Sequence, residues 1–235
     1  MNISDYKRKV IKHFQKFYDG VDEGHGVNHV IQVTNLALSI NKDQKIGISE
    51  YDIVVAGIAH DIFSYTDRDE HHTKAMEYIM SDTGDIYNYI TNQKQISYAV
   101  GEHRASFKGE YNSMLSELIS AADRGLPNLS SVIKRIYKCA LDPSLIFAIE
   151  KTGIPNMVLS NGNTLKEMHE KLVKEHSVEF AKTYVHLCEK FSIHGYARYN
   201  DIYKKAFKEE LCDMWDEIES IVKSPDKLYT YLKGC

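Results

Sequence analysis

The sequence predicts an all-α protein, on three observations. Along most of the chain, apolar residues recur every three or four positions, which places them on one face of an α-helix. Only four prolines interrupt the 235 residues, and proline is the residue that breaks helices most strongly. No segment has an apolar and polar alternation, as expected of a strand, that outcompetes this helical spacing.

Six helices are predicted in the first half of the chain. The first covers about residues 5–17 and ends before a glycine-rich turn at 19–26. The second carries a core-facing stripe that starts at His29. Ser49, with Asp52 three residues later, is close to a capping box and predicts the start of the third helix.

The other three helices of this half follow a polar segment at 63–70, which we interpret as a loop at the mouth of a pocket. The fourth begins near His71, the fifth ends at His103 and the sixth ends at Asp123. The apolar stripes of the second to sixth helices are Val33, Leu36, Ala37 and Ile40; Ile53 to Ala59; Ala75, Met76 and Ile79; Ile96, Ala99 and Val100; and Leu115, Leu118, Ile119 and Ala122.

The second half is predicted to hold additional helices. Two short helices are expected at 130–141 and 144–150, and the glycine, asparagine and proline signals of 152–163 mark the best internal boundary. We therefore expect a core at 1–150 and a C-terminal helical extension at 151–235 that packs on the core. Its last helix has the stripe Phe207, Leu211, Met214, Trp215, Ile218 and Val222. A lid, a homodimer surface and simple packing all remain open as its role.

Composition limits the classes of function. The net charge is -4, so no global basic field attracts nucleic acid, and we do not expect a nucleic-acid partner. The four cysteines are widely spaced, which favours reduced thiols over a disulfide framework. The first 15 residues lack the apolar core of a signal peptide, and no apolar run is long enough to span a membrane. We expect a cytoplasmic protein with no membrane partner.

Histidines and aspartates stand at the ends of successive predicted helices. His29 opens the second helix, the pair His60-Asp61 follows the apolar run of the third, and Asp123 follows that of the sixth. Imidazole nitrogens and carboxylate oxygens are common ligands of divalent cations. Ionisable groups so close to apolar runs are costly to bury unless they are paired or bound to metal. The pattern predicts a metal site.

Residues 20–130 resemble the HD superfamily of metal-dependent phosphohydrolases, which is named for an adjacent His-Asp pair. The family order of ligands is matched by His29, His60-Asp61 and Asp123. The segments Gly-His-Gly-Val-Asn-His-Val at 24–30 and Ala-Gly-Ile-Ala-His-Asp-Ile at 56–62 are similar to the family's local motifs. The resemblance implies an HD-domain helical bundle.

Two further histidines resemble those of the dinuclear branch of the superfamily. Either His72 or His71 matches the ligand that opens the helix after the pair; we prefer His72 and interpret His71 as its solvated neighbour. His103 matches the ligand that closes the next helix. The resemblance thus implies two divalent metal ions (Fe, Mn, Co, Ni or Mg), with Asp61 bridging them. The implied metal ligands are His29, His60, Asp61, His72, His103 and Asp123. Ser64 stands where some single-metal members carry a catalytic glutamate, which disfavours that subgroup.

The resemblance also implies a reaction. We expect hydrolysis of a phosphate ester or anhydride of a nucleotide by a metal-bound hydroxide, with Asp61 as a catalytic residue. The nucleotide could be a nucleoside phosphate, a dinucleotide polyphosphate or a signalling nucleotide. Arg104 and Arg124 each follow an implied ligand, so we expect both to be catalytic and, with Lys108, to bind the phosphate.

Three acids and three aromatic residues lie near the implied ligands. The acids could orient water, and the aromatic residues could stack on a nucleobase or form the rim of the site. These residues are Asp67, Glu70, Glu102, Tyr65, Phe107 and Tyr111.

Two other functions remain open. A few HD proteins use the same six ligands to hold two irons that activate oxygen, so a di-iron oxygenase is one alternative. A nucleotide-binding regulatory protein with little turnover is the other. Loss of a ligand would favour the regulatory protein, and the intact set argues against it.

Overall fold

A computed structural model describes residues 1–19, 26–67, 69–104, 107, 109–129, 167, 174, 200–222, 224, 227, 230 and 231. These residues contain α-helices and short 3-10 helices but no strand, which confirms the all-α prediction. None of these helices is long and apolar enough to cross a membrane. The α-helices are α1 (Ile3–Phe14), α2 (Val27–Asp43), α3 (Glu50–Ala59), α4 (His71–Ser81), α5 (Gln93–Glu102), α6 (Met114–Asp123), α7 (Asp201–Ala206) and α8 (Lys208–Val222).

Helices α2 and α3 pack together as an antiparallel hairpin. The Asn41 side chain closes the loop between them, because its amide donates to the carbonyl of Ile48 and its carbonyl accepts from the Ile48 N–H. Gly57 is required for the close approach of the helices, since a Cβ atom there would lie 2.6 Å from Oγ1 of Thr34. The hairpin therefore places the start of α2 beside the end of α3.

Helices α4 and α5 form a second antiparallel hairpin of the same kind. A Cβ atom on Gly101 would lie 2.8 Å from Sδ of Met76, so glycine again permits the close approach. Asn92 caps α5 by accepting from the N–H of Gln95, and the Gln93 side chain donates to two carbonyls near the end of α4. The start of α4 consequently lies beside the end of α5.

The expected starts of helices agree well with the structure, whereas one expected cap does not. Ser49 is the N-cap of α3 but its side chain makes no capping hydrogen bond. Asp52 is buried and accepts hydrogen bonds from the N–H and the hydroxyl of Thr91 instead of completing a capping box. The reason is that a long-range partner engages the carboxylate. The first helix begins at Ile3 and its last turn, Gln15–Phe17, is a 3-10 helix.

The chain divides into two compact units. The first comprises Met1–Leu126 with Arg198–Phe207, and the second comprises Pro127–Ala197 with Lys208–Cys235. Within the first unit, Asn200 caps α7, and its side chain donates to the carbonyl of Glu117 on α6 at 2.7 Å. Within the second, the buried Leu211, Met214 and Ile218 of α8 follow the predicted stripe. The helices expected at 130–141 and 144–150 and the boundary expected at 152–163 lie outside the described residues, so the division at 150 stays a prediction.

Candidate metal centre

The ends of five helices bring six ionisable side chains together. His60 and Asp61 follow the end of α3, His103 follows the end of α5, and Asp123 is the last residue of α6. His29 and His71 lie in the first turns of α2 and α4. A helix C-terminus carries a partial negative charge and a helix N-terminus a partial positive charge. The C-termini of α3, α5 and α6 therefore favour a cation here, whereas the N-termini of α2 and α4 oppose it.

Asp61 lies at the centre of the cluster, and its two oxygens face different histidines. Oδ1 is 3.3 Å from Nε2 of His71 and 3.6 Å from Nε2 of His103. Oδ2 is 3.6 Å from Nε2 of His60 and 3.7 Å from Nε2 of His29. Each oxygen is therefore shared with the two histidines of one hairpin.

Asp123 joins the cluster on the side of the first hairpin. Its Oδ1 is 3.2 Å from Nε2 of His29 and 3.3 Å from Nε2 of His60. The two imidazoles are themselves close, with 3.3 Å between their Nε2 atoms. Helix α6 ends at Asp123, and Gly125, two residues later, has a φ of 68°, the left-handed conformation that glycine favours after a helix.

Backbone carbonyls orient two of the imidazoles. Nδ1 of His60 donates to the carbonyl of Gly57 at 2.8 Å, and Nδ1 of His103 donates to the carbonyl of Val100 at 2.7 Å. These carbonyls belong to the last turns of α3 and α5, where intrahelical partners are missing. When these imidazoles are neutral, the proton lies on Nδ1 and each Nε2 can present its lone pair to a cation, as a metal ligand must.

The electrostatics agree with a cluster of mutually stabilising charges. Burial opposes the charged form of His60, yet the Asp61 and Asp123 carboxylates raise the pKa of His60 to about 9. Burial also opposes ionisation of both carboxyls, but His60, His103 and His71 lower the pKa of Asp61, and His29 and His60 lower the pKa of Asp123, well below the usual range. Both carboxylates are thus ionised at neutral pH.

These atoms fit a divalent cation. Three overlapping sets have one ligand atom per residue, all lying within 4.8 Å of one another, and the sets share members. Imidazole nitrogens with carboxylate oxygens suit Mn, Fe, Co, Ni or Zn, and a carboxylate alone would suit Mg. The sets are His29, His60 and Asp61; His60, His103 and Asp123; and Asp61, His71 and His103.

The orientation of the His71-His72 pair is the reverse of the expected one. His71 is buried in the cluster, with its Nε2 3.3 Å from that of His103. His72 is only partly buried and its Nδ1 lies 3.5 Å from Nη1 of Arg104. The reason is helical periodicity, because His71 shares the buried face of α4 with Ala75 and Ile79, at intervals of four residues. That spacing is the signal that could have identified His71.

The three expected cationic residues differ in position. Arg104 follows His103, and its Nη1 donates to the carbonyl of Asp69 at 2.8 Å, so it lies against the turn that precedes α4. Arg124 is the half-buried C-cap residue of α6, next to Asp123. Lys108 lies outside the described residues.

The three acids considered for orienting water have other partners or positions. Glu102 is buried and accepts from the N–H and the side-chain amide of Asn112. Asp67 pairs with Lys74 at 2.5 Å and accepts from the N–H of Glu70, and these contacts lower the pKa of Asp67. Glu70 itself is exposed at the start of α4. The carboxylates of Glu102 and Asp67 therefore have structural partners.

The three aromatic residues considered for stacking have different settings. Tyr65 is 68% exposed on the turn that follows Asp61. Phe107 and Tyr111 contact each other, with ring centroids 5.3 Å apart, and the Tyr111 hydroxyl hydrogen-bonds to Ser120. Tyr18, which the sequence did not single out, is buried and donates to the carbonyl of Ile58 at the end of α3. Burial and the charge of Asp61 raise the pKa of Tyr18.

Residues 26–129 match the family model of the HD domain, a little under half of the chain. The match begins just before α2, ends just after α6 and includes every member of the cluster. No curated protein and no solved structure matches the chain. The resemblance to the HD superfamily is therefore confirmed, and the cluster lies inside the matched domain.

Proposed function

We propose, from the HD domain at residues 26–129, that this protein is a metal-dependent phosphohydrolase acting on a nucleotide. HD domains are typical of the superfamily of metal-dependent phosphohydrolases. One observation carries the proposal: the two oxygens of Asp61 face two different pairs of histidines. A carboxylate so placed can serve two cations at once.

The cluster would hold two cations, each bound by its own set of ligands. His29, His60 and Asp61, joined by Asp123 through its contacts with His29 and His60, would hold the first. Asp61, His71 and His103 would hold the second. His71 thereby takes the role that the sequence suggested for His72. A bound pair of divalent cations lowers the pKa of a bound water and withdraws charge from a phosphate.

The side chains of the protein would prepare the site before substrate arrives. The carbonyls of Gly57 and Val100 hold two imidazoles in the tautomer that binds metal. The charge of Asp61 and Asp123 offsets part of the cationic charge. Arg104 and Arg124 would bind phosphate oxygens, and a guanidinium can do so with two parallel hydrogen bonds.

The nucleotide part of the proposal is supported by Tyr65. Its ring is 68% exposed on the turn that follows Asp61. An exposed aromatic ring near a phosphate site can stack on a base, and every base offers a π-face. Stacking of a base on this ring would favour a nucleotide over a small aliphatic phosphate ester.

The proposal is tested by phosphate release from a panel of nucleotides. Protein stripped with EDTA is reloaded with Mn²⁺, Fe²⁺, Co²⁺, Ni²⁺ or Mg²⁺ and mixed with nucleoside phosphates, dinucleoside polyphosphates and cyclic nucleotides. We expect turnover of at least one compound, which disappears with EDTA and in Asp61→Asn. Asp85→Asn is the matched control, because Asp85 is an exposed acid paired with Lys9.

Two outcomes contradict the proposal. The first is phosphate release that is equal in Asp61→Asn and wild type, since the activity would then arise elsewhere. The second is the absence of phosphate release together with oxygen consumption by the iron-loaded protein, which would favour the di-iron oxygenase.

A further inference from the structure

The hydroxyl of Ser64 is buried and lacks a hydrogen-bond partner in the part of the chain that the structure describes. Ser64 lies on the turn between α3 and α4, and its N–H donates to the carbonyl of Asp61 at 3.0 Å. This hydrogen bond forms a local turn that places the backbone of Ser64 next to the backbone of Asp61.

A buried hydroxyl without a partner is destabilising, because folding removes its hydrogen bonds to water and replaces them with none. In native proteins such an atom calls for an explanation, and a water, ion or ligand is the usual one. A hydroxyl can donate one hydrogen bond and accept two, so an oxygen atom is a suitable partner.

The turn keeps Ser64 in this position. The carbonyl of Phe63 accepts from the N–H groups of Thr66 and Asp67 at 3.2 and 3.0 Å. Near the end of the segment between α3 and α4, the Arg104 side chain donates a hydrogen bond to the carbonyl of Asp69. The segment also begins at Asp61 and ends at His71, two members of the cluster whose side chains are 3.3 Å apart. The backbone of Ser64 is therefore held within the segment that joins two members of the cluster.

We propose that Ser64 is a positioning residue, whose hydroxyl forms a hydrogen bond with an oxygen ligand of a cation bound at this centre. The oxygen belongs either to water or to a phosphate. The inference rests on the proposed function in one respect, namely that the cluster binds cations. It adds a polar contact from the turn to a centre otherwise built from imidazoles and carboxylates.

The test compares wild type with Ser64→Ala and with the matched control Ser97→Ala. Ser97 is also buried, but its hydroxyl donates to the carbonyl of Lys94 at 2.8 Å. Thermal unfolding is measured in EDTA, and binding is measured by calorimetry with Mn²⁺ alone and with Mn²⁺ plus inorganic phosphate.

In EDTA, we expect Ser97→Ala to lower Tm by about 2–4 °C, because a satisfied hydrogen bond is lost. We expect Ser64→Ala to leave Tm unchanged or raised, since no protein hydrogen bond is lost. An equal fall in both variants would overturn the inference, because it would reveal a partner of Ser64 within the protein.

With metal, we expect Ser64→Ala to weaken binding by about 10-fold, the usual effect of removing a group that contacts a metal ligand. If water supplies the oxygen, the loss is in Mn²⁺ affinity; if phosphate supplies it, the loss is in phosphate affinity alone. Ser97→Ala should change neither affinity.

The failures can be told apart. Normal Mn²⁺ and phosphate affinity in Ser64→Ala, with binding intact in wild type, overturns this inference and leaves the proposed function standing. A wild-type protein that binds no Mn²⁺ overturns both.

Discussion

Nε2 of His71 lies 3.3 Å from Oδ1 of Asp61, although the two residues stand at opposite ends of the turn between α3 and α4. This contact joins the second helical hairpin to the carboxylate that follows the first. Oδ2 of the same carboxylate faces His29 and His60. Asp61 is consequently the residue through which the two halves of the candidate centre meet.

The orientation of His71 gives the first prediction. His71→Ala should lower the number of Mn²⁺ ions bound per chain from about two towards one, because one set of ligands would lose an imidazole. His72→Ala is the matched control and should keep the wild-type number, since the His72 ring lies against Arg104. Metal analysis after gel filtration measures this number. The reverse pattern would restore His72 as the ligand.

Arg104 and Arg124 should differ in their kinetic effects. Arg104→Ala removes a phosphate-binding group and the tie to the Asp69 carbonyl, so we expect a higher KM together with a lower kcat. Arg124→Ala should lower kcat by about 100-fold or more with a smaller change in KM, if its charge is used mainly in the transition state.

Two further variants complete the steady-state kinetics of the arginines. Arg104→Lys should rescue only in part, since a point charge lacks the two-pronged contact. Arg8→Ala, at an exposed ion pair with Asp5, is the control. Wild-type kcat/KM in both alanine variants would show that the anion site is built from other residues.

The stability of the metal-free protein should depend on pH with a definite sign. The pKa of His60 is raised to about 9 in the folded protein, above its unfolded value of about 6.5. Its contribution is therefore complete below about pH 6.5 and is lost as the pH rises through about 9. The lowered pKa values of Asp61 and Asp123 act oppositely, and their contribution is lost as the pH falls below about 4.

Thermal unfolding in EDTA between pH 5 and 9.5, roughly the window set by these values, measures the effect. We expect Tm to fall from about pH 6.5 to 9 in wild type and to fall less steeply in His60→Gln. The slope is the readout, so a uniformly lower Tm of the variant does not affect the comparison. Identical slopes would show that His60 is not held in its charged form by the carboxylates.

Replacement of Tyr65 should change KM for substrates that carry a nucleobase and leave KM unchanged for substrates that lack one. If its exposed ring stacks on a base, Tyr65→Ala should raise KM for a nucleotide by about 5- to 150-fold, the equivalent of about 1–3 kcal/mol. Tyr65→Phe should keep wild-type KM, and glycerol phosphate should show no difference between the variants. An equal effect of Tyr65→Ala on both substrates would point to the turn itself and not to stacking.

The sequence predicted the helices and the residues that end them, because local spacing and chain order carry that information. The stripe Leu115, Leu118, Ile119 and Ala122 placed Asp123 at the end of α6, as observed. The choice between His71 and His72 depended on a rotation of one residue about α4, which the neighbouring histidines alone do not determine.

Contacts between segments that are distant along the chain could not be predicted from the sequence alone. Asp52 is engaged by Thr91 and Glu102 by Asn112, so neither carboxylate has the role that its local sequence indicated. The burial of the Ser64 hydroxyl likewise depends on tertiary packing, for which a polar turn gives no sign. Local pattern thus predicted most members of the His/Asp cluster, and the assignment of individual side chains required the packed structure.

The most direct test of the metal centre is an anomalous difference map from crystals grown with Mn²⁺. We predict two peaks about 3.5–4 Å apart on either side of the Asp61 carboxylate. One peak should lie next to His29, His60 and Asp123, and the other next to His71 and His103. Peaks that lie away from Asp61, or no peak at all in crystals of Mn²⁺-treated protein, would contradict the account.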